Sequence, residues 1–303
     1  MNNLLLILLS LLWGSAFLWT KLLLEQLHPI SLVFFRCLFG LLFIIPFLIK
    51  LKISIKRPIT FKFVGVMSLG AAIPWLMVSF ALLSLHTSVS GVMNSFAAIF
   101  TFILTILIYR VRPLVTQIIS LLLGFFAVII LFLESLFSAD FSPIGILLML
   151  SVTLCYGSNS VLTSRYFRNL SPFVLGFYTL LIAVILNGVG MLIVEPGVVL
   201  KIIEPTIFFP LLILGGFSSG LGYVIFYRLV SSGGAVFGSF VTFLIPFVSV
   251  LLGVLVLNEP FSFTFLIGFV LVLCSLVFMN WQVLMKIKAN RLKSIDKSME
   301  KSS

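Results

Sequence analysis

Long apolar runs follow one another along this chain, each about 20 residues, and they restrict its fold more than any other feature. About 20 residues of α-helix cross the roughly 30 Å of hydrocarbon in a bilayer. Ten such runs can be marked, near 3–24, 30–49, 61–83, 88–109, 114–134, 142–164, 172–194, 206–229, 235–257 and 262–284. Turn or charge signals separate them, among them Pro29, the Lys50 to Lys62 stretch, Arg110 to Pro113, Arg165 to Pro172 and Asn258 to Pro260. Within each run the apolar residues are continuous rather than alternating, which favours spanning helices over a barrel. Only 9% of residues are charged, where a soluble domain carries about 25%. The expected fold is an all-α integral membrane protein of ten transmembrane helices.

Charge sets the expected orientation, because Lys and Arg collect in short cytoplasmic loops. With both termini inside, 16 of the 19 basic residues fall on the inner side, including six in a basic tail over 286–303. Only Lys21 and Lys201 fall outside, with Glu25, Glu134, Asp140, Glu195, Glu204 and Glu259. The net charge of +11 is then this asymmetry plus a tail lying at lipid headgroups, with no nucleic-acid partner required. The expected location is a bacterial-type inner membrane, with both termini cytoplasmic.

The first run is not read as a secretory signal: its leading residues, Met1-Asn2-Asn3, carry no basic side chain, and the run has a copy. Residues 13–29 read WGSAFLWTKLLLEQLHP and residues 156–172 read YGSNSVLTSRYFRNLSP, so that Gly14 meets Gly157, Ser15 meets Ser158, Thr20 meets Thr163 and Pro29 meets Pro172. The register drifts slowly from there: Gly70 meets Gly215, and Pro113 meets Pro260. Two five-helix units are therefore expected, over 1–137 and 138–285. An odd number of helices per unit inverts the second relative to the first, the plan of carriers that alternate access about a midplane site, with a central cavity between the halves.

Trp13, Ala16, Phe17 and Thr20 share one face of the first helix, and Tyr156, Asn159, Ser160 and Thr163 share the corresponding face of the sixth. Lipid gains nothing from Asn, Ser and Thr, so both faces should look inward. Gly14, Ser15, Gly157 and Ser158 suit tight helix contact, whereas Trp13 and Tyr156 sit mid-helix, away from the interfacial belts where such rings collect. They read as cavity lining or as packing.

Arg36 is the one charge placed clearly inside a span, where burial costs about 2.5–3.5 kcal/mol at the centre. It reads either as a snorkelling or carbonyl-bound structural arginine, or as a docking fork for a substrate carboxylate or another anion. Helix 4 offers Asn94, Ala98, Thr101 and Thr105 at helical spacing, and helix 9 offers Gly234, Gly238, Thr242, Pro246 and Ser249, with Gly234 and Gly238 as a small-xxx-small pair. Mutual packing of these two helices is the simplest reading. Pro74 and Pro246 remove backbone hydrogen bonds from helices 3 and 9 and can kink them. The run Gly215-Gly216-Phe217-Ser218-Ser219-Gly220-Leu221-Gly222 is loose enough to bend, so Pro74, Gly220, Gly234, Gly238 and Pro246 are the candidate hinges.

No carboxylate lies deep in a span, so a buried proton relay is not expected. His28 and His86 fall in turns, and Cys37, Cys155 and Cys274 are scattered, which suggests neither a metal site nor a disulfide framework. There is no nucleotide-binding loop or catalytic set, so neither a cofactor nor an enzyme is expected.

The WGSAF stretch, the segment HPISLVFFR opening helix 2, the five-plus-five repeat and the closing LLGVLVLNEPFSFTFLIG together resemble the EamA-type branch of the drug/metabolite transporter superfamily, over about 3–285. The resemblance implies ten helices around a central cavity, with export of amino acids, related metabolites or amphipathic drugs by alternating access. It aligns Arg36 with an arginine common in helix 2, and Glu259 with the acid before helix 10. Here Pro260 replaces the basic residue next to that acid, and the first unit has Arg110-Val111-Arg112-Pro113. The expected activity is transport of a small amphipathic solute, an amino acid or related metabolite, in a cavity walled by Trp13, Phe17, Trp75, Tyr156, Asn159 and Tyr223, with Arg36 and Asn94 as polar contacts. The alternatives are a carrier of drugs or of another metabolite, such as an organic anion or a nucleotide sugar, and a structural, lipid-contacting protein.

Overall fold

A computed structural model describes residues 2–55, 59–110, 114–137, 142–260 and 263–279. The basic tail expected over 286–303, the residues Lys56, Arg57, Arg112 and Asp140, and the start of the second unit at 138 lie outside the described residues.

The described residues hold helices and no strand. In chain order they are α1 (Asn2–Leu23), α2 (Pro29–Lys50), α3 (Phe61–Ser68), α4 (Ala72–Leu82), α5 (Thr87–Asn94), α6 (Phe96–Tyr109), α7 (Val115–Phe137), α8 (Pro143–Tyr166) and α9 (Pro172–Val194). A short 3₁₀ segment, α10 (Pro205–Leu211), a π-helical stretch (Leu212–Leu221), α11 (Gly222–Gly238), α12 (Ile245–Leu257) and α13 (Phe263–Met279) follow among the described residues. Seven helical stretches are long and apolar enough to cross a membrane, and three further apolar helices, Ile118–Ala127, Ile245–Leu257 and Leu266–Ser275, are shorter. The chain is thus a multi-pass membrane protein.

Helix starts follow from local chemistry. Proline opens α2, α8, α9 and α10, where its missing N–H costs nothing. The Thr60 and Ser142 hydroxyls accept from the amides of Phe63 and Gly145, capping α3 and α8.

Hydropathy alone marks four continuous runs that the backbone interrupts. Run 61–83 breaks between α3 and α4, run 88–109 breaks at Ser95, and run 206–229 widens into the π-helical stretch. The run expected over 235–257 begins as the end of α11, passes through a 3₁₀ turn (Ser239–Phe243) and resumes as α12. Gly234 has φ of 81°, a left-handed conformation that glycine adopts without steric cost. It therefore kinks α11 and does not form a helical small-xxx-small pair with Gly238. The prolines also act differently from the expectation. Pro74 and Pro246 sit in the first turns of α4 and α12, where the amide has no helical partner to lose. They begin new segments rather than kinking continuous ones.

Helices from the two ends of the chain interleave. α2 packs on α9 and on the π-helical stretch, α4 and α6 pack on α8, and α1 and α5 pack on α12. The last contact is the packing expected between helices 4 and 9. α7 and α13 pair with each other, and the Ser275 hydroxyl donates to the Ser120 carbonyl at 2.8 Å.

Contacts between loops define two opposite faces. On one, Lys21 donates to the Leu82 and Leu85 carbonyls, Glu195 accepts from the His28 amide, and Glu259 accepts from the amides of Thr87 and Ser88. On the other, Lys62 sits over the Tyr166 ring, Arg165 donates to the Ile108 carbonyl and Arg168 to the Ser231 carbonyl.

Candidate functional site

Breaking a helix inside a membrane frees carbonyls that no water can satisfy. In this chain, side chains from the opposite end of the sequence take them. Asn159 Nδ2 donates to the Val66 carbonyl at 2.8 Å, and the Tyr223 hydroxyl donates to the Gly70 carbonyl, both at the α3–α4 break. At the π-helical stretch, Trp13 Nε1 donates to the Ser218 carbonyl at 3.0 Å while Ser218 Oγ donates to the Leu12 carbonyl at 2.8 Å. At the third break Ser95 Oγ donates to the Thr242 carbonyl at 3.1 Å. The breaks therefore lie where the two parts of the chain meet.

A cavity opens at the same level. Trp13, Phe17, Arg36, Trp75, Asn94, Tyr156, Asn159 and Tyr223 all line it, and so do Ala16, Thr20, Thr101, Ser160, Gly238 and Thr242. The faces marked on helices 1 and 6 thus point into one space, except for Thr163, which is buried elsewhere. Of the candidate hinges, Gly238 lines the cavity; Pro74, Gly220, Gly234 and Pro246 lie at or near the breaks around it. The volume is about 80 Å³. One water takes roughly 10–15 Å³ on the same measure, so the space holds on the order of half a dozen water-sized groups.

Aromatic rings form most of the wall. Tyr223 is the hub, with Trp13 edge-on at 6.0 Å, Trp75 at 5.4 Å and Tyr227 stacked at 5.5 Å. Behind it, Thr179 Oγ1 lies 2.8 Å from the Tyr227 hydroxyl, which reaches Asn159 Oδ1 at 3.4 Å. Asn159 is thereby fixed by partners at both ends of its amide.

Arg36 is neither snorkelling nor carbonyl-bound. It is 5% exposed, its Nε donates to Ser219 Oγ at 2.9 Å, and its guanidinium carbon lies 3.6 Å from the centroid of the Trp75 ring. Ser219 in turn donates to the Leu214 carbonyl across the π turn. Among the described residues Lys201 pairs with Glu195 and His86 Nδ1 lies 3.9 Å from Glu259 Oε1, which leaves Arg36 without a carboxylate. Among the described residues Nη1 and Nη2 have no hydrogen-bond acceptor. An arginine carries five N–H donors in a planar fork, so four remain for the cavity.

Ser219 and Tyr227 belong to the site although the sequence did not single them out. The doublet Ser218-Ser219 inside a glycine-rich run was the signal for the first; Tyr227 had no signal beyond being a polar ring one helical turn from Tyr223. Glu259 also has a definite role. Its carboxylate accepts from the Thr87 and Ser88 amides and the Ser88 hydroxyl, at 2.5, 2.8 and 2.6 Å, and so caps α5 from the opposite end of the chain. Among the described residues no group of three or more His, Cys, Asp and Glu could hold a metal.

Comparison with known proteins gives three results. The EamA-like transporter family matches residues 1–133 and again 143–281. A Bacillus subtilis (strain 168) protein named "Uncharacterized transporter YvbV" is 28% identical over 170 residues, which cover 55% of this chain and 54% of that protein; the match spans about half of the relative's length. A solved crystal structure described only as that of a protein shares the fold with a TM-score of 0.68, covering 93% of this chain and 97% of its own, at 16% identity.

Proposed function

We propose a carrier mechanism from one premise: the chain belongs to the EamA-like transporter family. It is a membrane transporter, and its cargo in this proposal is a small amphipathic metabolite of amino-acid size, an amino acid or a close relative of one. The observation that carries this reading is the convergence of eight residues from α1, α2, α4, α5, α8 and α11 on one aromatic cavity around an arginine with unspent donors. Flat or branched apolar bodies suit such a wall, and a carboxylate suits the fork.

Transport would proceed by rocking of two inverted five-helix halves, 1–137 and 138–285, in a ten-helix fold with the family's two matched stretches as its repeats. Two observations support this plan: the cross-chain bonds at corresponding breaks, Trp13 to Ser218 and Asn159 to Val66, and the grouping of Pro74, Gly220, Gly234, Gly238 and Pro246 around those breaks. The face bearing Lys62, Arg165 and Arg168 is the cytoplasmic one by the positive-inside rule, with both termini on it, in a bacterial inner membrane whose lipids meet the exposed apolar side chains. A cationic-drug carrier would want an acid on the cavity wall and a nucleotide-sugar carrier more cations and more room; the wall carries Arg36 as its single charge.

Counterflow in proteoliposomes tests the proposal, using a labelled pool of amino acids and of the 2-oxo acids that share their side chains. Exchange of one class is expected from wild type, with at least a ten-fold loss in folded Arg36→Ala and Tyr156→Ala. Absence of exchange for every member of the pool would contradict it.

A further inference from the structure

Charge balance at the cavity narrows the cargo of the proposed carrier, and the narrowing rests on that carrier mechanism. Among the residues lining the cavity, Arg36 carries the single formal charge, and no Asp or Glu joins it. Its Nε is used by Ser219 and one face of its guanidinium by Trp75, which leaves the Nη edge, four N–H donors without an acceptor among the described residues. Asn94 stands on the same wall as a neutral amide, and Asn159 is occupied by the Val66 carbonyl and the Tyr227 hydroxyl.

The cavity wall therefore holds one uncompensated positive charge. A monocarboxylate brings it to zero through two parallel N–H···O bonds. A zwitterionic amino acid leaves it at plus one, because its ammonium finds only neutral acceptors, and the cost of desolvating that ammonium is not repaid by an opposite charge. The volume of about 80 Å³ holds on the order of half a dozen water-sized groups, at roughly 10–15 Å³ each, which limits the cargo to a small solute.

We propose that the cargo is a small monocarboxylate with a flat or branched apolar body and no ammonium group, carried alone as an anion. The consequence concerns energetics. Each turnover moves one negative charge across the bilayer with no counter-ion, so a potential that is negative inside drives the anion outward. The maximum gradient is about fifty-fold per 100 mV. Export then needs no proton relay, which is consistent with a cavity wall free of carboxylates.

The test uses purified full-length protein in proteoliposomes, with potassium diffusion potentials set by valinomycin. The probes are two pairs that differ at one position, 4-methyl-2-oxopentanoate against leucine and phenylpyruvate against phenylalanine. Faster flux of the oxo acids than of the amino acids, by ten-fold or more, is expected, and making the interior negative should accelerate oxo-acid efflux and slow uptake. Arg36→Gln should abolish oxo-acid flux while Arg36→Lys keeps the response to potential at reduced affinity, and retention of both variants as monodisperse protein on heating separates this from misfolding. Exchange of leucine or phenylalanine at an equal or higher rate, insensitive to potential, would overturn the anion assignment and leave the carrier mechanism standing. Flux of no probe by folded wild type would overturn both.

Discussion

At the scale of single residues, the side chains that matter most join distant parts of the chain. Trp13 belongs to the cavity wall and also satisfies the Ser218 carbonyl, so lining and packing, which the sequence left as alternatives, are one role here. Position along α1 made it legible that this face turns inward. What it turns toward depended on a π-helical stretch that no periodicity reveals. Glu259 teaches the opposite lesson, since the sequence placed it at a helix end and only the fold brings it to the N-terminus of α5. Replacing it by Ala would leave two amides and a hydroxyl unpaired, a loss of about 2–3 kcal/mol, with about 1 kcal/mol for Glu259→Gln, which keeps an acceptor. Thermal unfolding in detergent should rank wild type above Glu259→Gln above Glu259→Ala; equal midpoints would mean that the carboxylate does not cap α5.

At the scale of elements, hydropathy located the seven long apolar stretches but was blind to their interruptions, because a broken helix and a continuous one bury the same apolar side chains. What distinguishes them is where backbone hydrogen bonds go, and the partners of Val66, Gly70 and Ser218 lie far away in sequence. Proline content pointed to Pro74 and Pro246, yet their effect depends on position within the turn. Glycine was more informative at the contact between α2 and the π-helical stretch. A Cβ on Gly40 would stand 2.9 Å from the Gly215 carbonyl oxygen and 3.1 Å from the Gly220 amide, whereas one on Gly65 in α3 meets nothing within 4 Å. Gly40→Ala should therefore lose about 1–3 kcal/mol through forced separation of backbones. Gly65→Ala should gain roughly 0.5–1 kcal/mol from helix propensity. Equal effects on the unfolding midpoint would show that the two glycines do not differ as described.

At the scale of the molecule, the bias of basic residues was readable from the loops alone, because Lys and Arg collect in the short loops on one side of a membrane. The clustering of Lys62, Arg165 and Arg168 away from Glu195 and Glu259 expresses that bias in three dimensions. The internal copy, with Trp13 opposite Tyr156 in register, identified which faces meet; it could not supply the cavity's size or the free edge of Arg36, which arise from packing. Carriage by rocking halves requires that one cavity serve both faces of the membrane in turn. The requirement can be checked with a single cysteine at Thr101, on the cavity wall, in a chain whose Cys37, Cys155 and Cys274 are replaced by serine, probed with an impermeant maleimide from each side of the membrane separately. Labelling from both sides is expected, with the split between them shifted by saturating cargo; labelling from one side only, with and without cargo, would contradict alternating access.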